Sequence, residues 1–263
     1  MLCTGITYLS VSLISYMQYT QNSVYTPSLF LSGQAQTQQT LCASVLIELF
    51  ALEFASNHCG KSKHDAIDKV PTFLIGGSSE PIYLPHHVKI HDYFVDVRCD
   101  EMPNRVLNHE SEVAVAKLNW LEESSLSNLP YGNKVFFTRD YFASALHEVA
   151  HWCIAGEQRR MQVDYAYWYA PDGRDAKQQA SFEQAEIKPQ ALEWAFSLAC
   201  NKSFKVSNDN LDLSDHDSSQ FTDAVKAQLM SYLKCGMPSR AKRFLERLHK
   251  AFNTETLHKG SLL

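Results

Sequence analysis

His147, Glu148 and His151 stand in the order H-E-x-x-H inside residues 141–152, YFASALHEVAHW. On an α-helix two residues four apart lie one turn apart on the same face. Two imidazoles held that way can share one divalent ion, and neutral imidazole suits zinc, iron, copper and nickel. Chance alone gives such a match in roughly 3% of chains of this composition, so context has to decide. The bland reading is two polar residues on the wet face of an ordinary helix. Against it, the segment is mostly apolar and runs into Trp152, Cys153 and Ile154, and histidines in apolar company need partners.

The elements that must position these residues follow from periodicity. Phe142, Ala145, Leu146, Val149 and Ala150 recur at helical steps, and Gly156 is the expected C-terminal stop. Residues 134–138, KVFFT, read as a strand leading into this helix. Downstream, residues 181–200 read as a second helix, with Ser181 and Gln184 forming a capping box. Pro189 marks either a kink or a start in it. If one helix continues, Glu183, Glu186, Gln190 and Glu193 fall on one stripe. Stacked acids repel unless a cation neutralises them; solvent and Lys188 are the bland neutralisers, a metal the functional one. A carboxylate from this stripe would complete a two-His-one-carboxylate face.

Other segments frame the site. Residues 41–57 read as a helix apolar on more than one side and therefore buried. Residues 72–74 form a short strand that Gly76-Gly77 ends, and residues 81–84 are rich in strand formers. His86, His87, His91 and His109 read as solvated loop histidines. Residues 162–169, QVDYAYWY, look strand-like; their aromatics are either core or the wall of a pocket for a cation. The turn Pro171-Asp172-Gly173 follows. Residues 221–252 read as two helices broken at Gly236-Met237-Pro238. The second carries Arg240, Lys242, Arg243, Arg247 and Lys250 on a solvated basic face.

Composition removes several function classes. The chain has 263 residues and a net charge of −5, which argues against nonspecific nucleic-acid binding. Its seven cysteines are odd in number and scattered, as in a reduced cytoplasmic protein rather than a disulfide scaffold. Residues 1–60 hold no Lys or Arg, and the early apolar run is too short and too polar for a membrane span. Gln, Ser and Thr dominate residues 18–40, the composition of a poorly ordered extension.

Several motifs together resemble the elongation factor P hydroxylases. They are EPIYLP (residues 80–85), YFASALHEVAHWCIAG (141–156), DYAYWYAPDGR (164–174), FEQAEIKPQALEW (182–194) and DNL (209–211), with the two-helix tail. The resemblance covers most of residues 41–85 and 134–250; residues 1–40 and 86–133 do not share it. It implies a non-haem metal monooxygenase that hydroxylates the β-lysyl-modified lysine of elongation factor P. The implied cofactor is Fe(II), with dioxygen as co-substrate and an electron donor that is not identified. The implied ligands are His147, His151 and Glu186, with Glu183 and Glu193 as alternatives for the carboxylate. Glu148 would be an orienting group at the site. Glu183, Glu193, Asp164, Asp172 and Tyr167 would recognise the dicationic side chain, and Arg174 would be structural. The competing chemistry is a zinc hydrolase of the metallopeptidase kind, with Glu148 as general base.

The expected architecture is one predominantly helical α+β domain, with a small β-sheet next to the HExxH helix. Residues 1–40 are the poorly ordered extension, 41–255 the catalytic domain with an insertion at 86–133, and 256–263 a tail. Elongation factor P is the expected partner, without nucleic acid or membrane, in the cytoplasm.

Overall fold

The computed structural model describes residues 43–55, 70–88, 129–166, 174–208 and 219–258. Among these it is mostly helical, with five α-helices and one three-stranded sheet, an α+β fold as expected. The chain divides into two compact units, Met1–Phe142 and Ala143–Leu263. No helix among the described residues is long and apolar enough to cross a membrane. The expected extension at 1–40 and most of the expected insertion at 86–133 lie outside the described residues.

The first unit holds α1 (Ala43–Phe54), β1 (Thr72–Ser78), β2 (Ile82–Leu84) and β3 (Asn133–Thr138). The helix buries one face, Ala43, Leu46, Phe50, Ala51 and Phe54, and packs on β1. It is not buried all round: Leu52 is 52% exposed. The sheet order is β1-β3-β2, with β1 parallel and β2 antiparallel to the central strand. Val135 is flanked by Leu74 on one side and Tyr83 on the other. Residues 134–137 of β3 are all buried, so both faces of this central strand are covered and the burial does not alternate.

Gly76-Gly77 does not end β1, contrary to the expectation from sequence. The strand runs on to Ser78 through an irregularity in its pairing with β3. Glycine is needed there because a Cβ on Gly76 would meet the Phe137 ring at 2.8 Å and the Arg139 carbonyl oxygen at 3.0 Å. Gly77 takes φ 93° and donates its N–H to that same carbonyl. Gly76→Ala is therefore expected to cost about 1–3 kcal/mol, the usual range for overpacking, read as a fall in urea-unfolding midpoint at unchanged m-value. His86 is half-buried: its backbone N–H donates to Asn133 Oδ1 at 2.9 Å and its ring Nδ1 lies 3.3 Å from the same oxygen. His87 is exposed, and His91 and His109 lie outside the described residues.

The second unit begins within α2 (Phe142–Ile154) and continues through α3 (Ala176–Ala199), α4 (Ser219–Cys235) and α5 (Ser239–Phe252). Helix α3 packs against α4 and α5. Phe196 meets Phe244 edge-on at 5.2 Å, and Val225, Leu229, Leu245 and Leu248 fill the same core. Gly236 takes φ 98° at the break between α4 and α5.

Two local expectations fail here. Residues 162–166 are not a strand: Gln162 closes one 3-10 turn, Arg159–Met161, and Val163–Ala166 form a second. Asp164, Tyr165 and Ala166 all have positive φ, which no strand permits; residues 167–169 lie outside the described residues. The capping box of α3 is Asp175 with Gln178, six residues before the expected one. Ser181 sits inside the helix and donates to the Lys177 carbonyl. Pro189 is not the start of α3: the helix runs through it for 24 residues, with the proline buried inside, so the single continuous helix that lines up the acidic stripe is the one that forms.

Candidate metal centre

Helix α2 is anchored by its apolar side. Phe142, Ala145, Leu146, Val149, Ala150, Trp152 and Cys153 are buried, which leaves His147 and His151 together on another face. Its C-terminal carbonyls are satisfied by arginines rather than by a glycine cap. Arg240 from α5 donates to the carbonyls of Trp152 and Cys153 at 3.1 Å each, and also to that of Ala155. Arg160 donates to the Ala155 carbonyl at 2.7 Å. The Arg240 guanidinium lies 4.8 Å from the Trp152 ring centroid. Gly156 is exposed and has no positive φ, so it does not serve as the left-handed stop. Arg240 was expected on a solvated face; it is buried because these carbonyls replace its water.

Helix α3 supplies the carboxylates. Glu186 and Glu193 are seven residues apart, about two turns, so both side chains leave the same side of the helix. The Nε2 atoms of His147 and His151 approach to 3.0 Å. Glu186 faces both, with Oε1 3.2 Å from His151 Nε2 and Oε2 3.5 Å from His147 Nε2. Ligand atoms of His147, His151 and Glu186 all lie within 4.8 Å of one another. Glu193 Oε2 lies 2.8 Å from His147 Nδ1.

These donors suit a divalent cation. Glu186 is buried, yet its Oε2 has no hydrogen-bond partner, an arrangement that costs free energy unless something positive completes it. Two nitrogens each ~2.0–2.1 Å from one ion stand about 3 Å apart, the separation found here. Two imidazole nitrogens and one carboxylate oxygen match zinc or iron better than magnesium or calcium, which prefer all-oxygen shells.

The same groups shift one another's protonation. Burial pushes the Glu186 carboxyl upward, but the facing His151 and His147, helped by Gln190, hold it down at about 2. Burial pushes His147 downward, but the hydrogen bond to Glu193 and the charges of Glu186, Glu193 and Glu148 raise it to about 10. A folded pKa above the unfolded 6.5 means that His147 contributes stability fully present below pH 6.5 and lost as pH rises through about 10. The depressed Glu186 contributes stability present above 4.5 and lost as pH falls through about 2. The metal-free protein is thus expected to lose melting temperature on both sides of the interval 4.5–6.5. His147→Gln should abolish the alkaline fall; a scan of melting temperature against pH checks this.

The remaining candidates are placed differently. Glu148 is half-buried beside His147 in sequence but is not one of the three converging groups. Glu183 accepts from Gln179 Nε2 at 3.1 Å. Glu193 sits on the far edge of the His147 ring from Glu186. Asp164 lies in the left-handed turn. Tyr167 and Asp172 lie outside the described residues. Arg174 is buried and structural: it donates to Gln179 Oε1 and to the Asn208 carbonyl and lies over the Phe182 ring. Sequence reasoning missed the clasp beside the site. Gln190 donates to the Ser207 carbonyl at 2.7 Å and accepts from the Ser207 N–H at 3.0 Å, and Trp194 stacks on Phe204. The acidic stripe contained Gln190; a buried amide among acids was the available signal.

Two histidines on one helix and a buried carboxylate on another make a group that could hold one metal ion. The chain belongs to the elongation factor P hydroxylases, whose description it matches over residues 124–262. It is also 42% identical over 127 residues to the elongation factor P lysine hydroxylase of Haemophilus influenzae, covering 48% of this chain and 71% of that protein. The family match includes α2 and α3 entire, while the EPIYLP stretch at residues 80–85 precedes it.

Proposed function

We propose that this chain hydroxylates the β-lysyl-modified lysine side chain of elongation factor P in the cytoplasm, as a non-haem iron monooxygenase. His147, His151 and Glu186 would hold Fe(II), with dioxygen as co-substrate and a separate reductant supplying two electrons. The observation that carries the reading is the convergence of the two Nε2 atoms on a buried carboxylate with an unsatisfied oxygen; the family supplies the substrate. Bound iron supplies the redox chemistry that oxidation of an unactivated C–H bond demands and that zinc lacks.

The chain's own residues do the rest. Glu186, Glu193 and Glu148 surround the histidines with more negative charge than one divalent ion cancels, so a net negative field remains to draw in a cationic side chain. Glu183, Tyr167 and Asp172 are the proposed recognition groups for that dication, on a catalytic domain spanning residues 41–255.

The test is intact mass of β-lysylated elongation factor P after incubation with the protein, Fe(II) and a reductant, with and without oxygen. An oxygen-dependent gain of one oxygen atom is expected. Retained zinc with cleavage of test peptides and no mass gain would replace the proposal by a hydrolase in which Glu148 is the base.

A further inference from the structure

The His147 ring is held on both edges, and only one of the two carboxylates that hold it belongs to the proposed ligand set. Glu186 addresses Nε2; Glu193 Oε2 addresses Nδ1 at 2.8 Å. An ionised carboxylate only accepts hydrogen bonds, so this contact requires a proton on Nδ1. Neutral imidazole carries one N–H, which leaves the lone pair on Nε2, the atom 3.0 Å from His151 Nε2. The Glu193 side chain is 13% exposed, so water competes weakly for the bond. Both carboxylates ride on α3, whose two-turn spacing fixes their separation across the ring.

We infer that Glu193 is the positioning residue of this centre: it locks His147 in the Nδ1–H form, with Nε2 turned toward His151 and Glu186. The inference rests on the metal reading proposed above. It gives Glu193 a place distinct from both roles expected from sequence, third ligand and substrate contact. Without Glu193 the ring is free to turn over and to exchange tautomers, and the ligand atom is no longer preorganised.

The test uses Co(II) as the probe. Its affinity is measured by chelator competition, and the exchangeable ring N–H signals of the Co(II)-loaded protein are read by NMR. Two variants separate geometry from charge. Glu193→Gln keeps an acceptor oxygen for Nδ1–H; Glu193→Met keeps the length and removes it. Glu193→Met is expected to bind Co(II) ~10–100-fold more weakly, the usual effect of losing an outer partner of a ligating histidine, and to lose the protected Nδ1–H signal of His147. Glu193→Gln is expected to stay within about five-fold of wild type with that signal retained. Wild-type affinity and a retained signal in Glu193→Met would overturn the inference. So would a Glu193→Gln chain as impaired as Glu193→Met, which would make the charge, not the acceptor, decisive. If Glu193→Met does not fold, the wild type decides: absence of a protected His147 Nδ1–H signal sinks the idea. Failure of the wild type to bind Co(II) removes the metal reading instead, and the same N–H signal in the metal-free protein still tests the Glu193 bond.

Discussion

His151→Ala is expected to lower affinity for Co(II) or Fe(II) by at least about 100-fold, because loss of a mere outer partner already costs ~10–100-fold, and to remove hydroxylation of the substrate. The same holds for His147→Ala. Each substitution deletes one of two nitrogens 3.0 Å apart and leaves Glu186 buried against a single imidazole. Alanine at position 151 also opens space that water can fill, so the fold should survive while the site fails. Chelator-competition titration reads the affinity, and intact mass of the substrate reads the activity. An alanine variant that still binds one equivalent of metal with wild-type affinity, or still hydroxylates, would remove that histidine from the proposed ligand set.

The second large effect is on stability and lies away from the proposed ligands. Arg240→Met should destabilise the protein by about 3–4 kcal/mol, from breaking charged hydrogen bonds and stranding buried carbonyls. Arg240 donates to three carbonyls at the end of α2, so methionine would leave Trp152 and Cys153 carbonyls short of a donor. It would also remove a positive charge from the negative end of the helix dipole and from the Trp152 ring. Methionine keeps most of the volume, so cavity formation adds little. Urea unfolding measures the loss. A change below about 1 kcal/mol, the level of a surface substitution, would mean that the guanidinium is replaceable by solvent. Lys242→Met, on the same helix but exposed and paired with Glu246 only at 4.0 Å, is the control and should change stability by less than about 0.5 kcal/mol.

How much of this could be read from the amino acids depends on the range of the interaction. The histidine helix was legible because motif and apolar period both act within four residues. The strand at residues 134–138 was legible from its run of β-formers, and the acidic stripe of α3 from helical spacing. Which glutamate faces the histidines was a choice among three at nearly the same angle, and only packing of α3 beside α2 orders them. The start of α3 was misplaced because Asp175–Gln178 and Ser181–Gln184 present the same chemistry six residues apart. The left-handed run at Asp164, Tyr165 and Ala166 defeats propensity altogether, since none of these is glycine. Arg240 was misread for a related reason: a basic residue on an amphipathic helix looks solvated until its distant carbonyl partners are known.

The arginine clasp also orders events in time. The carbonyls of Trp152, Cys153 and Ala155 are made 85 to 88 residues before the side chain that satisfies them. While the chain is being synthesised, the end of the histidine helix stays uncapped until α5 has left the ribosome, and a contact of that sequence separation closes late. The nascent chain therefore displays both histidines before it can hold them rigidly. On the metal reading proposed above, tight loading would wait until α5 docks, so the ion would enter a folded chain rather than a growing one.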